Sequence, residues 1–572
     1  MPKPKKTAPV DPHWDSEIRL LAWLATCVAV FSFLFYFQHD QTLLYGDAVA
    51  HINIARRVFD SKTPGLLQLG TVWLPLPHLL MIPFIISMKM WRTGAGGSIP
   101  SMAAYVFGVI GIFRLTRSAL SRTSQVDGPA NIAAWIAALI YGSNPNLIYM
   151  QSTAMGESLY LAFFIWAVVY FTESARAEAH ALVKCALCLA AACLTRYDGW
   201  FLTAAIMGIV LLDLVAGDRS ILRRRSDDRG RAAPKGRVTD AENTRALAPV
   251  STRLKFLLIA AAAPALWLAY NGLVYRNALE FENGPYSAKA IEKRTQTSGN
   301  PGHPGTGKLV TSGRYFLKAA EDNLAENSWL QRGWLLLLLT ALVAGLYFLR
   351  GKSSSTASLL LLLLVPLPFY ALSIAYGGVP IFIPQWWPFT HYNTRYGLQM
   401  LPALSVAVAS LICLILRSTW QRRLKAVSIV AVLLFVIASY ASVWRSGPIT
   451  LQEALVNMRT RNQLEKELAS WLQKLPENAT ILMYLGDHVG ALERAAIPLS
   501  HTINEGNHRV WKQPADSQGL WERALADPTH YADYALAFEG DPVFEAISGK
   551  HLRELVEIHV TGQSRAILYR LR

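Results

Sequence analysis

Charge is scarce in this sequence. Asp, Glu, Lys and Arg make up 16% of the 572 residues, and acids are outnumbered by bases, 39 to 55. Soluble domains carry about a quarter charged residues, so an ordinary soluble enzyme is excluded. Cysteine is nearly missing: the five cysteines all fall inside apolar segments, and no disulfide framework is implied. Cys185 and Cys188 have the spacing of half a zinc site, but no second ligand pair follows, and a role as small buried apolar groups fits them better. There is no internal repeat, no P-loop and no Gly-rich dinucleotide fingerprint, so no obvious nucleotide motif supplies energy. No basic patch is interleaved with stacking aromatics, which leaves no case for nucleic acid as a partner.

Apolar sequence is abundant. Hydrophobic residues reach 52%, gathered in runs such as Leu20–Phe37, Leu335–Phe348 and Ala426–Ala441. Runs of this kind cross bilayers, so the chain reads as a polytopic membrane protein. Much of the net charge of +16 lies in short loops between the runs, where it orients the spans. Lys3, Lys5, Lys6 and Arg19 put the N-terminus in the cytoplasm, and the first run lacks a small-residue cleavage site, so it reads as an uncleaved span. Keeping Arg114, Arg117 and Arg122 inside requires residues 73–91 to be a Pro-broken segment at the outer surface. About eleven spans result, near residues 20–37, 99–115, 130–145, 157–172, 181–195, 199–216, 256–275, 333–349, 357–376, 396–416 and 426–443.

The expected organisation is a basic cytoplasmic tail at 1–17, a transmembrane catalytic domain at 18–444 and an extracytoplasmic domain at 445–572. Within the second lie an outer loop with surface helices at 38–98, a mobile cytoplasmic linker at 217–255 and a flexible outer loop at 276–331. In the last part, Leu464–Leu475 has helical periodicity, while residues 479–484 and 565–569 look like short strands, which predicts a small α/β domain.

Sorted by side, the polar residues converge. Asp47, His51, His78, Glu157, Asp198, His391 and Arg395 all fall at outward ends of spans or in outer loops, and Arg196 and Tyr396 adjoin Asp198 and Arg395. Polar groups at such depth are costly unless they face a cavity. Gly46-Asp47 reads as a helix start with Asp47 as cap, and His51 follows one turn later on the same face. Ile52, Ala55 and Phe59 form an apolar stripe suited to a helix lying on a membrane. Glu157 starts an outward helix end, Arg196 and Asp198 suit a turn-stabilising pair, and an Arg at the depth of Arg395 suits a lipid phosphate.

Four segments carry a resemblance: Gly46-Asp47-Ala48 in the first outer loop, Pro75-Leu76-Pro77-His78, Ser143-Asn144-Pro145, and Arg395-Tyr396 followed by Leu401-Pro402. In order and sidedness the chain resembles the GT-C membrane glycosyltransferases that use polyprenyl-phosphate sugars, among them protein O-mannosyltransferases and lipid A aminoarabinose transferases. The resemblance implies a mainly α, polytopic bundle in the inner membrane. It implies transfer of a sugar from a polyprenyl-phosphate donor to a lipid, glycan or protein acceptor outside the cytoplasm. It places Asp47 as the catalytic acid residue and Arg395 at the lipid phosphate. The chain departs in having His51 where a second acid would stand beside Asp47, which leaves metal use open, with Asp47, His51 and Glu157 as candidate ligands of a divalent ion. A lipid-linked sugar transporter is the alternative from another class, although such proteins tend to carry repeats and midplane charges. A glycan ligase or polymerase would share the architecture and differ only in donor.

Overall fold

The computed structural model describes residues 16–121, 127–175, 179–227, 249–295, 302–349, 357–486, 488–507 and 518–572. The tail at 1–15, residues 228–248 of the linker and residues 296–301 of the long outer loop lie outside them.

Every apolar run expected to cross falls on helix: Ser16–Gln38, Ala95–Leu120, Gly128–Gly142, Glu157–Ser174, Ala179–Cys193, Asp198–Asp227, Val250–Val274, Ser328–Leu349, Ala357–Leu364 with Pro366–Tyr376, Thr394–Met400 with Leu401–Arg417, and Arg422–Ser446. Among the described residues, seven stretches are long and apolar enough to span a bilayer; Pro75–Ile85, Gly128–Gly142, His180–Cys193 and Ser328–Val343 are apolar but shorter, and Glu157–Ser174, expected to cross, is in neither group. Ala95–Leu120 packs between Ser16–Gln38, Gly128–Gly142 and Glu157–Ser174. Its backbone is admitted by glycine: a Cβ on Gly108 would stand 2.7 Å from the Tyr141 hydroxyl.

Ion pairs mark the two ends of this bundle. Arg114 grips Glu173 through two bonds of 2.6 and 3.0 Å, near Arg117–Glu17 and Arg417–Asp127. Glu157 opens the helix that Glu173 nearly closes. At 1.5 Å per residue the two carboxylates are about 24 Å apart along the axis, close to the depth of a hydrocarbon core.

At the Glu157 end lies a layer of short helices. Gly46–Arg57 does not lie free on a surface as its stripe suggested: Ile52 and Ala55 are wholly buried against the protein, and the helix ends before Phe59. Asp47 is not its cap either. Tyr45 holds that position without a side-chain bond, and the Tyr45 hydroxyl instead donates to the Thr450 carbonyl at 2.7 Å. Residues 73–91 fold as Pro75–Ile85, with Pro83 inside the helix, followed by the start of Met88–Arg92, and 276–331 contains Glu280–Asn283, Ala288–Thr295 and Leu309–Asp322. The Ser143-Asn144-Pro145 motif is a helix start in which Asn144 Oδ1 accepts from Leu147 N at 3.0 Å. Asn144 and Asn146 both donate to the Asn323 carbonyl, and Asn146 Oδ1 accepts from Thr450, so the motif ties three distant segments together.

The chain after the last span begins with Ile449–Leu472 and ends in a five-stranded sheet: β1 Ile481–Met483, β2 Thr502–Ile503, β3 Tyr534–Phe538, β4 Arg553–Ile558 and β5 Ala566–Arg570, in the order β2-β1-β3-β5-β4. β1 pairs in parallel with β2 and β3, which are reached through helices, and β5 is antiparallel to both β3 and β4. Glu493, in the helix after β1, accepts from Asn53 Nδ2 at 2.6 Å and so joins this part to the Asp47 helix.

Thr394–Met400 crosses Leu309–Asp322 so closely that a Cβ on Gly397 would lie 2.4 Å from the Ala319 carbonyl carbon. Backbone cannot yield as a side chain does, so Gly397→Ala should cost roughly 1–3 kcal/mol and lower the thermal midpoint in mild detergent; an unchanged midpoint would count against this packing. Burial, with Glu465 nearby, pushes the Glu493 carboxyl well above its usual range. Its charged form is costly only in the folded chain, so stability falls as pH climbs from the ordinary Glu range toward the folded pKa. Glu493→Gln keeps the acceptor for Asn53 and removes that fall. Its gain in thermal midpoint over wild type should be larger at about pH 8 than at about pH 5.

Candidate functional site

The site is built around Arg395. It rides on the short 3-10 helix Thr394–Met400, entered through Asn393 in a left-handed conformation at φ 58°. Glu453, from Ile449–Leu472, sits at the start of that helix. Its carboxylate accepts from the Asn393 N–H at 3.0 Å, the Thr394 N–H at 2.7 Å and the Thr394 hydroxyl at 2.5 Å. The same carboxylate accepts from Arg395 Nη1 at 2.7 Å. One acid therefore caps the free N–H groups and fixes the side chain that follows them.

The remaining edges of the guanidinium meet two more acids. Nε donates to Glu157 Oε1 at 3.0 Å, and Nη2 donates to Asp47 Oδ2. Glu157 Oε1 also accepts from Arg196 Nη1 at 3.2 Å, and Arg196 Nε faces Asp198 at 3.2 Å. The Tyr370 hydroxyl accepts from Arg196 Nη2 at 3.1 Å and donates to Asp198 Oδ2 at 2.8 Å. The Tyr396 ring lies beneath both guanidinium groups, 4.7 Å from that of Arg196 and 5.0 Å from that of Arg395, and Tyr45 covers Arg395 at 4.9 Å.

Burial divides the roles within this network. The side chains of Glu157 and Glu453 are 1% exposed and that of Arg395 is 5% exposed, whereas that of Asp47 is 36% exposed. Asp47 is the one carboxylate on Arg395 that water or a substrate reaches. Glu157 Oε2 is buried without a hydrogen-bond partner among the described residues.

Six of the nine candidate site residues thus meet: Asp47, Glu157, Arg196, Asp198, Arg395 and Tyr396. His51 and His78 form a separate buried pair, Nδ1 to Nε2 at 2.9 Å, with Trp73 edge-on to the His51 ring. Burial and the cations of Arg196 and Arg395 push His51 down to about 3, so it stays neutral at ordinary pH. His391 makes no bond to the guanidinium groups; its ring lies near Glu453 and Gln452, and its carbonyl accepts from Asn457 Nδ2 at 3.2 Å. The grouping of Asp47, His51 and Glu157 as metal ligands is not found: among the described residues no three His, Cys, Asp or Glu side chains are placed to hold a metal. Guanidinium nitrogens occupy the space between the carboxylates, and His51 Nδ1 is spent on His78. Glu453 escaped the sequence reading because it lies past the last span. The signal was there: a lone acid in the first turns of a helix opening Ile449-Thr450-Leu451.

Glu453→Gln should remove a charge that Arg395 cannot replace, and breaking a buried pair of this kind costs about 3 kcal/mol. A clear drop in thermal midpoint in detergent is expected. A midpoint like that of wild type would show that Glu453 does not hold the 3-10 helix.

No family model matches the sequence, and no curated protein matches it. Solved structures match over nearly the whole length, among them two of one protein. One is ArnT from Cupriavidus metallidurans bound to undecaprenyl phosphate, with a TM-score of 0.51 and 14% identity, covering 97% of this chain and 98% of that one. The other is the same protein in the apo state, with a TM-score of 0.51 and 12% identity, again over 97% and 98%. At such identity the likeness is one of architecture. The chain has the GT-C membrane fold, a polytopic helical bundle with a small sheet-bearing part at its C-terminal end.

Proposed function

We propose that the protein is a multi-pass inner-membrane glycosyltransferase that moves a sugar from a polyprenyl-phosphate donor to an extracytoplasmic acceptor, with inversion. The N-terminus is then cytoplasmic and residues 445–572 lie outside, on the side of Asp47. The observation that carries this reading is the contact between Asp47 and Arg395, a reachable carboxylate and a buried guanidinium brought together across 348 positions. A solved structure of the same fold is bound to undecaprenyl phosphate, which supports a lipid phosphate as the donor's carrier.

Arg395 has five N–H groups, three of them engaged by Glu157, Glu453 and Asp47. The two pairs to buried acids hold the side chain still. The third, to Asp47, is open to exchange. A donor phosphate arriving at Nη2 takes over that N–H and releases the Asp47 carboxylate. Asp47 then accepts the proton from an acceptor hydroxyl or amine as it attacks the anomeric carbon. The bond from that carbon to the phosphate oxygen breaks, and Arg395 offsets the charge growing on the departing polyprenyl phosphate. A single displacement inverts the anomeric centre. Glu157 Oε2, unpartnered and buried, suits acceptance of a hydrogen bond from a sugar hydroxyl.

Asp47→Asn preserves shape and one acceptor oxygen but cannot take the proton. Release of free polyprenyl phosphate from a polyprenyl-phosphate sugar should fall by about 10²–10⁴-fold, with the thermal midpoint in detergent retained. Near-normal turnover by this variant would discard the assignment.

A further inference from the structure

A groove of about 790 Å³ lies away from this site, between Met88–Arg92 and the later turns of Ile449–Leu472. Among the described residues four of its lining side chains are cations, Lys89, Arg92, Lys466 and Arg494, and none is acidic. Arg92 spends its guanidinium on the carbonyls of Glu493 and Arg494, at 3.1 and 3.2 Å, and pairs with no carboxylate among the described residues. Arg494 is shared with Glu465 at 3.3 Å. Lys89 and Lys466 are exposed. Of the nearby acids, Glu493 holds Asn53, while the buried Glu465 lies between Arg461 and Arg494 and offsets the charge of Arg494 alone among the four cations. Glu467, beside Lys466, is engaged by Gln463 Nε2 at 3.2 Å.

The neighbourhood is lipid-like. Pro75–Ile85 exposes Leu79, Leu80 and Phe84, and Ile86 follows at 64% exposure, three positions before Lys89. An apolar face running into a cationic pocket is the pattern that lets a chain sit in the acyl region while its basic groups meet headgroup phosphates.

We infer that this groove binds the phosphate headgroup of an anionic phospholipid. Its walls come from two elements that each serve Arg395. Met88–Arg92 packs through Trp91 on Asn53 of the Asp47 helix, with Nε1 to Oδ1 at 3.2 Å. Lys466 lies on the helix that carries Glu453, about 20 Å farther along at 1.5 Å per residue. A headgroup in the groove clamps the first outer segment to the C-terminal helix, and so holds Asp47 and Glu453 in register around Arg395. The inference does not rest on the transfer reading, because its readout is lipid retention.

Native mass spectrometry of the full-length protein in detergent, titrated with phosphatidylglycerol, phosphatidylcholine or inorganic phosphate, tests it. One phosphatidylglycerol per chain should be retained in preference to phosphatidylcholine and should raise the thermal midpoint. The double variant Lys89→Gln/Lys466→Gln, altered only at exposed positions, should bind it on the order of tenfold more weakly, while Lys550→Gln on the distant sheet-bearing part should match wild type. Equal retention of both lipids, or undiminished binding by the double variant, would overturn the inference. Stabilisation by inorganic phosphate alone, with no preference between lipids, would overturn the assignment to a headgroup.

Discussion

A single buried cation holds three parts of this molecule together. Arg395 is nearly inaccessible, and a guanidinium in such a place is tolerated only when its donors are met by acids in good geometry. The three acids come from Gly46–Arg57, Glu157–Ser174 and Ile449–Leu472. One belongs to the first outer segment, one to the bundle and one to the chain beyond the last span. Satisfying the charge therefore fixes where the C-terminal part sits on the membrane part. Glu453 does this twice over, since it also closes the helix from which Arg395 projects.

The same constraint explains the unequal burial of the acids. Glu157 and Glu453 are sealed and serve as fixed counter-charges. Asp47 lies at the rim, in the first turn of its helix. With two partners locked, the third can leave without stranding the cation, which makes an exchangeable contact out of an otherwise structural cluster. Arg196, Asp198 and Tyr370 form a second tier that shares Glu157 and so stiffens the first.

The apolar helices were readable because length and apolarity are local properties: each run expected to cross falls on helix, including the Pro-interrupted 357–376 and the 3-10 entry to Leu401–Arg417. The loop-charge pattern had grouped Asp47, Glu157, Asp198 and Arg395 at one end of the bundle before any contact was known, and their shared network agrees with that grouping. The Asp47 helix was misread as lying on a membrane because an apolar stripe looks the same whether it faces lipid or protein. Asp47 was misread as a cap because capping is a local preference, whereas Arg395 is a distant and stronger partner. The metal grouping failed for a related reason. Residue types that suit a cation also suit a guanidinium, and two were available.

Composition and the order of apolar runs were enough to decide that this chain builds a polytopic bundle with polar groups gathered at one end, since the bilayer penalises any other arrangement of such a sequence. Which of those groups touch was beyond their reach. Asp47, Glu157, Arg395 and Glu453 are spread over four segments, and the partnership among them is set by how helices cross, down to the missing Cβ of Gly397 against the Ala319 backbone. Ion pairing acts over a few ångströms, and linear order carries no information at that scale until the chain has packed.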